Sequence, residues 1–261
     1  MGVEMELKDK IVVVTGGASG IGREMCRRFT REGANKVVVA DLNGDGAQAV
    51  ADEIGSVGHA VDVSSEQDLI NLINDTENQF GPIDLFCSNA GIGVGKDIFE
   101  PDNVWQKIWE VNTMSHVWAA RHLVPKMIAR GGGYLLNTAS AAGLLSQIGS
   151  ATYAVTKHAA VALAEWLAIT YGDQGIKVSV LCPQAVRTAM TAAGPGVAGV
   201  DGMIEPEQAV DAVVETLREE RFLVLPHPEV VEYMQRKTAD YDRWLKGMRR
   251  LQALYTDSES S

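Results

Sequence analysis

Seven short apolar runs punctuate the chain, separated by stretches with helical periodicity: KIVVVT (10–15), KVVVAD (36–41), GHAV (58–61), IDLFC (83–87), YLLNT (134–138), IKVSVL (176–181) and FLVLP (222–226). A strand that is apolar on both faces has to be covered on both faces. A helix after each strand covers one face and returns the chain to the edge where the next parallel strand begins. The alternation predicts a single-domain α/β fold, a doubly wound parallel sheet of about seven strands with helices on both faces. Helices are expected over Ile21–Glu32, closed by Gly33, and near 44–54, 65–79, 102–130 and 152–171, with a helical extension over 228–255. The domain spans 1–261 with its core over about 7–226. Residues 188–206 break the pattern, being rich in Gly and Ala and poor in anchoring side chains. They read as a dispensable surface loop or as a mobile lid over 188–204. The tail TDSESS (256–261) is expected to be disordered.

Charge and cysteine content narrow the function. A net charge of −11 repels phosphate backbones, so nucleic acid is not an expected partner. The one dense basic cluster, Lys246, Arg249 and Arg250, reads as a solvated helix face. Cys26, Cys87 and Cys182 show no CxxC spacing, which argues against a disulfide framework or a metal site and fits a reducing cytoplasm. No signal core precedes the first strand, and Glu6 stands where a myristoylation signal needs Ser or Thr. No apolar run reaches 18 residues, so a membrane is not an expected partner either.

The first strand runs directly into TGGASGIG (15–22). Gly16, Gly20 and Gly22 permit a tight turn and close approach of a ligand. The helix beginning there offers free N–H groups and a positive dipole end to a pyrophosphate. Asp41 ends the second strand, about where a carboxylate accepts hydrogen bonds from ribose hydroxyls and repels the extra phosphate of NADP. A turn or helix-cap aspartate is the plainer alternative. Arg23 lies nearby but inside the helix start, so NAD is favoured over NADP. Ser19 and Ile21 from the loop and Leu42 beside Asp41 complete the first half of the expected site. The carboxyl ends of later strands supply Asp62, Val63, Asn89, Ala90 and Gly91, and the stretch Asn137 to Ser140. A further pairing stands out in YAVTK (153–157): Tyr153 and Lys157 are four apart and share a helix face, where an ammonium group favours the phenolate.

With these residues in place, the sequence resembles the short-chain dehydrogenase/reductase family over about residues 7–226. TGGASGIG fits its TGxxxGxG spacing, SNAG (88–91) is similar to its NNAG, and Asn112, Ser140, Tyr153 and Lys157 match its catalytic tetrad, with Ser140 thirteen residues before Tyr153. The resemblance implies a Rossmann-type oxidoreductase. Tyr153 is then the general acid/base, and Lys157 with the nicotinamide lowers its pKa from about 10 toward about 7, roughly 4 kcal/mol of differential stabilisation. Lys157 also holds the nicotinamide ribose. Ser140 binds the substrate oxygen, and Asn112 bends its helix and holds a water that links Lys157 to solvent.

After the sixth strand the family has PG and this chain has CPQAVRT (182–188). Pro183, Val186 and Thr188 keep the cofactor positions, whereas Gln184 replaces glycine and either enters the substrate pocket or points away. Segments 92–97, 141–149 and 188–204 supply Ile92, Val94, Leu144, Leu145, Ile148, Val186, Met190, Val197 and Met203, with Gln147 and Gln184 as polar contacts. Lys96 and Arg187 are isolated, so no cluster of cations is expected there. The expected activity is NAD-dependent hydride transfer to or from a secondary alcohol or ketone of mainly apolar character. The alternatives are an NADPH-dependent ketoreductase of lipid or polyketide type and a non-catalytic NAD-binding sensor. Trp105, Trp109, Trp118 and Trp166 enrich the helices that pair between subunits in the family, which implies a homotetramer.

Overall fold

The computed structural model describes residues 5–258. β1 (Ile11–Thr15), α1 (Gly20–Arg31), β2 (Lys36–Asp41), α2 (Gly44–Ile54), β3 (Val57–Ala60), α3 (Glu66–Phe80) and β4 (Leu85–Ser88) form the first half. The second half holds α4 (Asp102–Trp109), α5 (Ser115–Ala129), β5 (Gly133–Thr138), α6 (Ala142–Leu145), α7 (Ala151–Tyr171), β6 (Ile176–Leu181), α8 (Pro206–Arg218), β7 (Leu223–Val224), α9 (Glu229–Ala239) and α10 (Tyr241–Ser258). All seven strands pair in parallel in the order β3-β2-β1-β4-β5-β6-β7. The expected architecture is present, and its strand order reverses between β1 and β4, the place where a doubly wound sheet opens a crevice.

Strand alternation divides the core into two layers. Val13, Val38, Phe86, Leu135 and Val178 face α3, α5 and α7. Val12, Val14, Val37, Val39 and Leu136 face α1, α2 and α8. The helices are anchored by side chains buried to 3% exposure or less: Leu72, Leu123 and Leu167 on one side, Phe29, Val50 and Val213 on the other. Two faces buried in this way explain why the strands read as continuous apolar runs.

Three segments depart from expectation. The helix expected over 102–130 is interrupted by a π-helical turn, Glu110–Met114. The extension over 228–255 is two helices, broken at Asp240, whose backbone turns extended and whose carboxylate accepts from Arg243 N at 2.9 Å. Both pack on their own subunit, where Val230, Tyr233, Met234 and Trp244 meet Ala141 and Leu145, and Lys237 Nζ donates to Leu144 O at 2.6 Å. The disorder expected over 256–261 does not hold for 256–258, which continue α10, and residues 259–261 lie outside the described residues. Residues 188–204 are folded into two short 3₁₀ turns, closed where Arg187 N donates to Ile204 O at 2.9 Å and Ala185 N to Ala198 O at 3.1 Å.

The turn from β1 into α1 has no space for side chains. A Cβ on Gly22 would lie 2.1 Å from Gly16 O and 2.6 Å from Asn89 Nδ2. Gly22→Ala is expected to lower stability by about 1–3 kcal/mol, read from the urea midpoint. His116, at the start of α5, is 1% exposed, and neither ring nitrogen has a hydrogen-bond partner among the described residues. Burial, and then the charge of Lys157, pull its pKa down to about 3. The folded protein keeps this ring neutral while the unfolded chain takes up a proton below about 6.5. Stability is therefore full above that pH and falls as the pH drops toward 3. Urea unfolding at pH 7 and pH 5 is expected to show about 2 kcal/mol less stability at the lower pH, part of which disappears in His116→Gln.

Candidate active site

A cleft of about 720 Å³ runs along the carboxyl edge of the sheet. Gly16, Ser19, Gly20, Ile21 and Gly22 line it from the first turn, Asp41 and Leu42 from the end of β2, and Asp62 and Val63 from beyond β3. Asn89, Ala90 and Gly91 follow β4; Ser140, Tyr153 and Lys157 face them; and Pro183, Val186 and Thr188 follow β6. Residues scattered over most of the chain thus meet in one crevice because parallel strands all end there. Lys107 also lines the cleft and lies 3.9 Å from Asp62. It was not among the expected residues, since nothing in its helical surroundings distinguishes it from surface charge.

The two acidic positions are partly committed to the backbone. Asp41 accepts from Ala18 N at 3.0 Å and from Asn43 N at 2.9 Å, so it braces the glycine turn as well as facing the cleft. Asp62 accepts from Ser64 Oγ at 2.6 Å and Ser64 N at 2.9 Å. The Ser64 hydroxyl bond is the largest influence on its carboxyl and, with that backbone bond and Lys107, holds its pKa below the usual range against burial.

The floor of the cleft is a hydrogen-bonded chain that the motif reading largely missed. Thr15 Oγ1 accepts from Asn89 N at 2.9 Å and Ala90 N at 3.1 Å, and donates to Cys87 O at 3.2 Å. Asn89 Nδ2 returns a bond to Thr15 O at 3.0 Å, and its Oδ1 accepts from Thr138 Oγ1 at 3.1 Å. Lys157 Nζ donates to Thr138 O at 3.1 Å. The signal in the sequence was a threonine at the end of both β1 and β5.

Asn112 sits in the π-helical turn, fully buried. Its Oδ1 accepts from Ile92 N at 2.9 Å while its Nδ2 donates to Ile92 O at 2.9 Å and to Thr156 Oγ1 at 3.4 Å. The side chain works as a brace between the loop after β4 and α7. The widened turn presents this amide inward.

Tyr153 and Lys157 lie on one face of α7, with Nζ 5.5 Å from the centre of the phenol ring. Ser150 caps the helix, accepting from Tyr153 N at 3.3 Å. Lys157 is 2% exposed, and burial lowers its pKa to about 8. The expected lowering of the Tyr153 pKa is not what the protein's own groups produce. Burial, the largest influence, raises it, and a hydrogen bond with Ser140 opposes that. Lys157, with its Nζ 5.5 Å from the ring centre, is not among the influences on this hydroxyl. Ser140 itself donates to Pro183 O at 3.3 Å and accepts from Ala142 N at 3.1 Å.

A second cavity, of about 800 Å³, shares Ser140 and Gln184 with the first. Leu145, Gln147 and Val197 line it as expected, whereas Ile92, Val94, Val186 and Met190 line the cleft instead, and Leu144, Ile148 and Met203 line neither. Gln147 donates to Ile148 O at 3.0 Å. Gln184 does not point away: its Nε2 donates to Asp201 Oδ2 at 3.0 Å, and Tyr233 OH donates to Asp201 Oδ1 at 2.8 Å. His227 Nδ1 accepts from Gln184 N at 3.2 Å. The far wall comes from α9 and α10: Tyr233, Arg236, Arg243, Trp244, Met248, Arg250 and Leu251. The expectation of a pocket without clustered cations is therefore not met, whereas Arg250 lines the cavity and still lies exposed, as the reading of a solvated face had it. Lys96 and Arg187 line neither cavity, and Arg187 pairs with Glu205 at 2.7 Å. The wall was missed because it folds back from beyond the last strand, where no motif points to it. Among the described residues no group of three or more His, Cys, Asp or Glu side chains is placed to hold a metal, and no helix is long and apolar enough to cross a membrane.

The chain is 36% identical over 236 residues to 1-deoxy-11-beta-hydroxypentalenate dehydrogenase of Streptomyces exfoliatus, covering 86% of each chain. It is 35% identical over 193 residues to 3beta-hydroxysteroid dehydrogenase 2 of Eggerthella lenta, covering 70% of this chain and 73% of that protein. The crystal structure of a short chain dehydrogenase/reductase from Burkholderia phymatum in complex with NAD superposes with a TM-score of 0.83 at 27% identity, over 91% of this chain and 96% of the other. The family model described as short chain dehydrogenase matches residues 10–195. This chain belongs to the short chain dehydrogenase family.

Proposed function

We propose that this oxidoreductase is an NAD(H)-dependent dehydrogenase that interconverts a secondary alcohol and its ketone on a largely apolar, ring-bearing substrate. The observation that carries the reading is the meeting of Ser140, Tyr153 and Lys157 in the cleft, with Ser140 also lining the second cavity. The cleft fits a dinucleotide on its own terms. Its glycines leave the space that side chains would fill, with a Cβ on Gly16 coming within 2.9 Å of the Ala90 backbone. The α1 N-terminus suits a pyrophosphate. The nicotinamide supplies or accepts the hydride when bound.

Each protein group has a task at a stated atom. Tyr153 OH takes the proton from the substrate hydroxyl in oxidation and returns it in reduction. Ser140 Oγ hydrogen-bonds the same oxygen and lowers the phenol pKa. Lys157 Nζ, fixed by Thr138 O, is placed for the nicotinamide ribose. A bound nicotinamide cation adds the positive charge that Lys157 alone does not deliver to the buried phenol. Asp41 at the rim favours ribose hydroxyls over a ribose phosphate, and Arg23 is occupied by Glu53 at 3.1 Å rather than offered to a phosphate. The relatives act, by their names, on hydroxylated pentalenate and steroid compounds. A cavity of about 800 Å³ beside Ser140 accommodates such ring systems. Trp109, Val155, Trp166 and Ile169 are exposed at 37, 48, 55 and 84% on α4 and α7, which supports a homo-oligomer, taken as a tetramer. The three cysteines are free and buried, in keeping with a cytoplasmic setting.

Tyr153→Phe is expected to lower kcat/KM by at least ~100-fold while leaving the NADH Kd within about twofold, measured by cofactor absorbance and by fluorescence titration. Turnover that survives the change moves the general base elsewhere. Binding titrations are expected to show NADH held at least ~10-fold more tightly than NADPH, with Asp41→Ala narrowing the gap. Tighter NADPH binding points instead to ketone reduction with the phosphorylated cofactor.

A further inference from the structure

The wall built by α9 and α10 carries a charge pattern that an apolar substrate does not use. Residues 236–250 hold six Lys and Arg against two Asp, within a chain whose net charge is −11. One face of α10 contributes Arg243, Trp244, Gly247, Met248, Arg250 and Leu251 to the cavity, at spacings that place them together on a helix. Lys246 and Arg249 face elsewhere.

Elsewhere arginines are consumed in ion pairs: Arg23, Arg27, Arg28, Arg121, Arg130 and Arg218 each pair with a carboxylate. Arg236, the third arginine on the cavity, is neutralised by Glu232 one helical turn away. The guanidinium groups of Arg243 and Arg250 have no such partner among the described residues. Asp240 lines the cavity too, but one carboxylate oxygen is taken by Arg243 N, and Asp201 is held by Gln184 and Tyr233. The lining outside α9 and α10 is mixed, with Ala141, Ala142, Leu145 and Val197 apolar and Ser140, Ser146, Gln147 and Gln184 polar. Trp244, Met248 and Leu251 add apolar surface between the two cations.

We propose that Arg243 and Arg250 bind an anionic group, a carboxylate or its equivalent, on an otherwise apolar alcohol whose hydroxyl reaches Ser140 and Tyr153. This rests on the dehydrogenase reading and names the substrate class within it. A planar guanidinium holds a carboxylate through two parallel bonds, which fixes where the apolar body lies and which hydroxyl reaches the base. In a protein of this net charge, the local reversal of sign also supplies the attraction that the overall field denies to an anion.

The test uses two dyes that share one aromatic skeleton and differ by a single sulfonate group, anilinonaphthalene sulfonate and N-phenylnaphthylamine, titrated by fluorescence with NAD present so that the cleft is filled. The wild type is expected to bind the sulfonate at least ~10-fold more tightly than the neutral dye. The double variant Arg243→Ala/Arg250→Ala should lose that preference and leave the neutral dye within about twofold, and Arg243→Lys/Arg250→Lys should restore part of it. Both positions are exposed, so the unfolding midpoint stays unchanged and reports that the variants are folded. Equal affinity for the two dyes, or a sulfonate affinity indifferent to the alanine variants, overturns the proposal. The titration reads binding alone. Neutral alcohols oxidised without any dye preference sink this inference and spare the dehydrogenase reading. A clear preference with no alcohol turned over sinks the dehydrogenase reading and spares the cationic wall.

Discussion

A lysine ammonium with 2% of its surface exposed, Lys157, is the constraint around which the rest of the structure is arranged. Burying a cation is costly unless hydrogen bonds replace the water it loses. Here the Thr138 carbonyl accepts a hydrogen bond from the ammonium, Thr138 is held by Asn89, and Asn89 is held by Thr15. That chain ties β5 to β4 and β4 to β1 across the point where the strand order reverses. The strands that open the crevice and the group that works in it are thus held by the same few bonds. The cost appears in the neighbours: the Lys157 pKa falls to about 8 and the His116 ring is kept neutral behind it. Gly91 is part of the same arrangement, since a Cβ there would lie 3.3 Å from Nζ.

How much of this was legible in the sequence depended on whether a single residue type had a single physical reason. The seven strands were legible because burial on both faces leaves no polar alternation to confuse them. The cleft was legible because its glycines and the Tyr153–Lys157 spacing each answer to one local geometry. The interruption of the long helix at Glu110–Met114 was signalled only by the resemblance, which has Asn112 bend its helix, since a π-helical turn differs from its flanks by one hydrogen-bond register rather than by composition. The direction in which Tyr153 is perturbed was not legible. The four-residue spacing places the ammonium on the same face, 5.5 Å from the ring centre, but does not show that burial outweighs the other influences on the hydroxyl. The substrate wall was hidden for a topological reason. Arg243, Trp244 and Arg250 approach Ser140 by folding back across α6, and a periodic pattern says which residues share a face without saying what that face meets.

Gln184 lies at the boundary between the two cavities, bonded through Asp201 to Tyr233 and through its backbone to His227. At the position where the family resemblance implies a glycine, this side chain acts as a strut. Through Asp201 it links the folded segment 188–204 to Tyr233 of α9, so two walls of the second cavity are bonded to each other.

The break at Asp240 turns the chain back after the last strand, so that α9 and α10 form a hairpin whose residues line the second cavity, while Tyr153 and Lys157 line only the cleft. A substitution on the hairpin therefore alters the shape and charge of the second cavity without touching the buried lysine or the hydrogen-bonded chain that holds it.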